Sequence, residues 1–83
     1  MLKRLSINKL YKLQFEKKLN NYVLLYPEGM VTLNETSSEI LKLCNGKNTL
    51  NDIKQNLLQK YDSIDGLDDF IKDALKNDWL KEK

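Results

Sequence analysis

The feature that most constrains this chain is the stretch from Tyr22 to Leu33. Tyr22-Val23-Leu24-Leu25-Tyr26 is apolar or aromatic at every position, the pattern of a strand covered on both faces. Pro27-Glu28-Gly29 follows, with proline presetting φ for the second position of a turn and glycine suited to the fourth. Met30-Val31-Thr32-Leu33 is then a short strand, and so brief a connection makes it antiparallel to the one before. Upstream, Tyr11-Lys12-Leu13-Gln14-Phe15 alternates large apolar with polar residues, the period of a half-buried strand. Asn20-Asn21 supplies the turn between. The first half therefore predicts a three-stranded antiparallel meander with its third strand at an edge.

Beyond Leu33 the period changes. Asn34 is a good helix cap with Glu35 behind it, and Thr36 with Glu39 offers a second start two residues on. Ile40, Leu41, Leu43 and Cys44 follow at helical spacing, and Asn45-Gly46 ends the segment. Thr49 with Asp52 opens a second helix, striped by Leu50, Ile53, Leu57, Leu58 and Tyr61. Asp65 with Asp68 opens a third, striped by Leu67, Phe70, Ile71, Ala74 and Leu75. Trp79-Leu80 packs back, ahead of a charged tail. Strands and then helices make the chain α+β: a three-stranded antiparallel sheet packed on a three-helix bundle, winged-helix-like in arrangement.

Eighty-three residues leave room for one core. The division expected is a basic N-terminal arm over residues 1–9 and a single domain over 10–83. Up to residue 20, Lys3, Arg4, Lys9, Lys12, Lys17 and Lys18 face Glu16 alone. Such an arm is either a solvated, frayed terminus or an attractor for an acidic partner. No apolar run approaches the ~20 residues of a membrane span, and no secretion signal is legible, so a cytoplasmic protein with no membrane partner is expected.

The chain has no histidine and one cysteine. That removes histidine-dependent nucleophilic sites, the common zinc sites and any internal disulfide. Its three glycines are too far apart to cradle a phosphate. The expectation is a binding module with no catalytic residues, no metal and no cofactor. Cys44 reads as a small buried apolar side chain. Nucleic acid is a poor partner, because the third helix, from Asp65 to Asp78, carries five aspartates against Lys72 and Lys76.

An extended peptide is a better one. An edge strand offers unpaired main-chain groups, and a helix beside it makes a trough. On the third helix Phe70 and Leu75 lie about 140° apart at ~100° per residue, so one margin can face the core and the other a groove. With the third strand as docking edge, the Val31 N–H is expected among the donors, unless it pairs inward with the second strand.

The run LLYPEGM, then LNET, then IL (Leu24–Met30, Leu33–Thr36, Ile40–Leu41) resembles the PqqD family of pyrroloquinoline quinone biosynthesis. LKLCNG (Leu41–Gly46) is similar to that family's helix end, with Asn45 where aspartate is usual, and Leu67–Leu80 to its last helix and tryptophan-containing end. The resemblance implies three strands, three helices and a non-catalytic peptide chaperone. Such a protein binds the precursor peptide PqqA as an added strand and presents it to the radical S-adenosylmethionine enzyme PqqE. Carried over, the peptide site is Met30, Val31, Thr32 and Leu33 on one side and Phe70, Ile71 and Ala74 on the other. The alternatives are recognition of another ribosomally made precursor, or a winged-helix DNA-binding protein.

Overall fold

The structure is a computed structural model that describes residues 3–82. The chain runs β1 (Arg4–Ile7), β2 (Lys12–Glu16), β3 (Asn21–Tyr26), β4 (Gly29–Thr32), α1 (Glu35–Lys42), β5 (Asn45–Thr49), α2 (Leu50–Leu58), α3 (Leu67–Lys76) and β6 (Leu80–Glu82). The described residues form an α+β fold, with three helices and two three-stranded antiparallel sheets.

The expected meander is the sheet β2-β3-β4. Leu13 faces Leu24 and Leu24 faces Val31, so one apolar row crosses all three strands and points at the helices. Asn20 takes a φ of 53° in the turn before β3, a left-handed conformation that asparagine tolerates.

The second sheet, β5-β1-β6, was not expected. Arg4–Ile7 is its central strand, paired with β5 on one side and β6 on the other. The expectation of a basic arm over residues 1–9 is thereby corrected for this segment: Leu5 is 3% exposed and belongs to the core. After Leu80, which packs back as expected and lies opposite Ile7, residues expected to form a charged tail also pair, Lys81 opposite Ser6 and Glu82 opposite Leu5. Asn8 fastens the two ends together, its side-chain amide donating to the Asp78 carbonyl at 2.7 Å and its backbone N–H to the Trp79 carbonyl at 2.8 Å.

The helix starts follow local chemistry with one exception. Asn34 caps α1, its Oδ1 accepting from the Ser37 N–H at 2.7 Å, so the earlier of the two possible starts is used. Thr49 and Asp52 form a reciprocal capping box on α2. For α3 the cap is Gly66 at a φ of 88°, with no side-chain hydrogen bond, rather than Asp65. A residue at that angle must bear almost no Cβ penalty, which overrides the carboxylate's preference.

All three helices contribute to one core with Leu5, Leu24 and Leu80, through Ile40 and Leu41, Ile53 and Leu57, and Leu67, Ile71 and Ala74. Burying side chains of this size stabilises by about 1.5–3 kcal/mol each, which a chain without a disulfide needs. Cys44 lies in this core at 2% exposure, with Sγ 3.4 Å from the Ile40 carbonyl, and burial pushes its thiol up to about 12.

Candidate peptide-binding edge

Strand β4 lies at the outside of its sheet, with β3 on one side and no strand on the other among the described residues. The direction of its main-chain groups follows from one bond. The Leu33 N–H donates to the Tyr22 carbonyl at 3.0 Å, just past the ladder. Hydrogen-bonded pairs alternate along an antiparallel ladder, so Val31, opposite Leu24, also turns its N–H and C=O inward to β3. Met30 and Thr32, opposite Leu25 and Val23, turn theirs outward. The Val31 N–H is therefore not an edge donor; the free donors are those of Met30 and Thr32.

Side chains alternate in the same rhythm. Val31 is half-buried against the core and Leu33 is buried within it, whereas Met30 and Thr32 are exposed on the opposite face. On α3, Ile71 and Ala74 are 4% and 1% exposed and sit in the core. Phe70 is half-buried at its margin. Of the seven residues expected to form the trough, Leu33, Ile71 and Ala74 thus lie one layer beneath the surface, Val31 is half-buried above them, and Met30, Thr32 and Phe70 reach the surface.

Phe70 borders a cleft of about 370 Å³ whose rim includes Asn34 and Ser37 at the start of α1 and Ile64 in the loop before α3. Asn34 is two residues beyond Thr32, so this cleft opens where the edge strand ends. Tyr61 also lines it, and its buried hydroxyl has no hydrogen-bond partner among the described residues. Sequence reasoning did not single out Asn34, Tyr61 or Ile64 as site residues. Asn34 was visible only as a cap and Tyr61 only as one more stripe position.

The helix that shapes this rim is pinned to the sheet by charge. Lys42, in the last turn of α1, places its ammonium 4.3 Å from the Tyr22 ring centre. The same ammonium bonds Glu39 at 3.1 Å, and Lys60 reaches Glu39 at 2.8 Å. Hydrogen bonds from Lys60 and then Lys42 hold the Glu39 carboxyl below its ordinary range. Asp68, Asp69 and Asp73 line the exposed side of α3. Among the described residues no group of three histidine, cysteine or carboxylate side chains is placed to hold a metal ion, and no helix is long and apolar enough to cross a membrane.

Comparison with known proteins agrees with this architecture. The structure matches that of the heterocyclase TruD with a TM-score of 0.75 over 98% of this chain, at 19% identity, which is a likeness of fold. The chain spans only 12% of that larger protein. A protein of Methylococcus capsulatus described as a PqqA binding protein is 40% identical over 82 residues, covering 94% of this chain and 87% of the relative. One from Acinetobacter baylyi with the same description is 43% identical over 77 residues, covering 88% and 78%. The family described as coenzyme PQQ synthesis protein D matches residues 21–80, from the first residue of β3 to the start of β6. With that match over most of its length, the chain belongs to the PqqD family.

Proposed function

We propose that this chain is a non-catalytic peptide chaperone that binds a PqqA-type precursor along β4 and presents it to a radical S-adenosylmethionine enzyme of the PqqE type. The observation that carries the reading is the free edge of β4, with the Met30 and Thr32 main chain turned outward. The names of the relatives support PqqA as the peptide.

In this reading the precursor adds a fourth strand to β2-β3-β4. Met30 and Thr32 each donate one N–H and accept at one C=O. Val31, Leu33, Ile71 and Ala74 make the apolar layer beneath, and Phe70 flanks the groove. Each main-chain bond contributes about 0.5–1.5 kcal/mol with little demand on sequence. Ordering the peptide offsets part of that gain, so binding is moderate and release is easy, as a hand-over requires. No metal or cofactor takes part, and the protein acts in the cytoplasm. The aspartates along α3 disfavour a nucleic-acid groove as an alternative partner.

Calorimetric titration with synthetic PqqA tests the reading. One peptide should bind per chain, and mass spectrometry should find the peptide unaltered until PqqE and its co-substrates are added. No heat of binding, or modification of PqqA by this chain alone, would contradict it.

A further inference from the structure

Among the described residues one buried side-chain polar atom lacks a hydrogen-bond partner, the Tyr61 hydroxyl, and Tyr61 lines the cleft at the end of β4. The Tyr61 N–H donates to the Leu57 carbonyl at 2.8 Å, which fixes where the ring leaves the end of α2, and the ring packs against the core. Its hydroxyl is closed off from water as well as from other polar groups, so it forgoes hydrogen bonds that a phenol makes elsewhere. Phenylalanine would fill the same space without that loss, so packing alone does not account for an oxygen at this place. The surroundings favour an acceptor as its partner. Helices α1 and α3 both begin at this cleft, at Asn34 and Gly66, and α3 has no side-chain cap. The positive ends of two helix dipoles therefore meet beside apolar walls formed by Ile40, Leu57 and Ile64.

A peptide strand paired with β4 passes within two residues of Asn34, at the mouth of this cleft. Its main chain stays on the strand edge, so the group that enters the cleft is a side chain. We infer that Tyr61 is a specificity-determining residue, whose hydroxyl donates to an oxygen on a side chain of the precursor peptide just beyond the strand paired with β4. This rests on the peptide reading proposed above, and adds the chemistry the peptide carries at that position: an apolar stem for the walls and an acceptor oxygen for the phenol. The hydroxyl is closed off in the free chain, so the entering side chain displaces part of the half-buried lining, Ile64 or Phe70, to reach it. A site built around such a donor discriminates against a peptide of the same shape that lacks the oxygen.

The test compares the unaltered chain with Tyr61→Phe, by thermal melting and by calorimetric titration with synthetic PqqA. The titration is repeated with PqqA peptides in which each oxygen-bearing side chain is replaced in turn: serine by alanine, threonine by valine, and the amides and acids by leucine. Tyr61→Phe should melt at the same temperature or a few degrees higher, because it removes an unpartnered buried hydroxyl. It should nevertheless bind PqqA about threefold more weakly, or worse. One peptide replacement should weaken binding to the unaltered chain by a similar factor and leave binding to Tyr61→Phe unchanged, which identifies the side chain that the hydroxyl meets. A purely structural tyrosine would give the opposite pattern, lower melting with peptide affinity kept. Tyr61→Phe that binds PqqA as tightly as the unaltered chain overturns the inference. So does a melting temperature several degrees lower, since the hydroxyl would then already be bonded in the free chain, and so does a peptide series in which no replacement couples to Tyr61. Failure of the unaltered chain to bind PqqA at all would instead contradict the peptide reading on which the inference rests.

Discussion

A proline placed at neighbouring positions of β4 should have opposite consequences, and the ladder register says which. Thr32 turns its N–H outward, so Thr32→Pro removes a donor that no strand among the described residues uses. Proline is tolerated on edge strands in that setting. The domain should stay folded, with melting shifted by only a few degrees. Peptide binding should suffer. One lost main-chain bond of ~0.5–1.5 kcal/mol is roughly a 2- to 13-fold rise in Kd. The ring carbon standing where the hydrogen was also holds the incoming carbonyl away, which carries the loss beyond about tenfold. Val31→Pro acts on the inward side. It breaks the bond to Leu24 and leaves a carbonyl unpaired beside a residue with 0% exposure. That costs about 1–3 kcal/mol before any strain, against a total of about 4–12 kcal/mol expected for a chain of this size. At roughly 4–8 °C per kcal/mol, Val31→Pro should lower the melting temperature by about 10 °C or more. Thr32→Val, which keeps the donor, is the control for side-chain loss. Circular dichroism melts and PqqA calorimetry on all three variants read the outcome. A folded Thr32→Pro protein that binds PqqA as tightly as the unaltered chain would refute the reasoning.

Other expectations concern what holds the site in place. Leu5→Ala should destabilise the domain by about 2–5 kcal/mol in denaturant unfolding, because Leu5 is a core residue on a central strand; a change near zero would restore the frayed-arm reading. Asn34→Ala should cost about 1 kcal/mol through loss of the α1 cap, measured by the same unfolding curve. Glu39 has a lowered pKa when folded, so its contribution is present above its ordinary value of 4.5 and is lost as pH falls through the lower folded value. Glu39→Gln should therefore flatten the fall of stability between about pH 5 and pH 3, and an unchanged slope would show that the lysine pair contributes nothing there.

The parts of the fold readable from sequence are those whose cause is local. The Tyr26–Gly29 turn, the Asn34 cap and the Thr49–Asp52 box each involve residues within four positions, and each forms as read. The sheet β5-β1-β6 was hidden because its strands gain their structure from partners some forty or more residues away. Asn45–Thr49, NGKNT, has no hydrophobic residue and no alternation; it becomes a strand because Arg4 and Ser6 pair with it. Basic residues near the start likewise masked the two inward positions, Leu5 and Ile7, that make Arg4–Ile7 a strand. At the site, strand order and an edge were legible, but which amides point outward was not. That depends on the ladder's phase, fixed by the Leu33–Tyr22 bond. The α3 stripe was visible, yet only packing decides that Ile71 and Ala74 face the core and Phe70 its margin.

The most direct test is the structure of the complex read through backbone contacts. With labelled protein and unlabelled PqqA, nuclear Overhauser effects should connect peptide Hα and amide protons to the Met30 and Thr32 amides, and those two amides should become protected from exchange. The Val31 amide, already bonded inward, should change little. Peptide contacts that bypass β4, or new protection on the β2 edge in place of Met30 and Thr32, would contradict strand addition at this site.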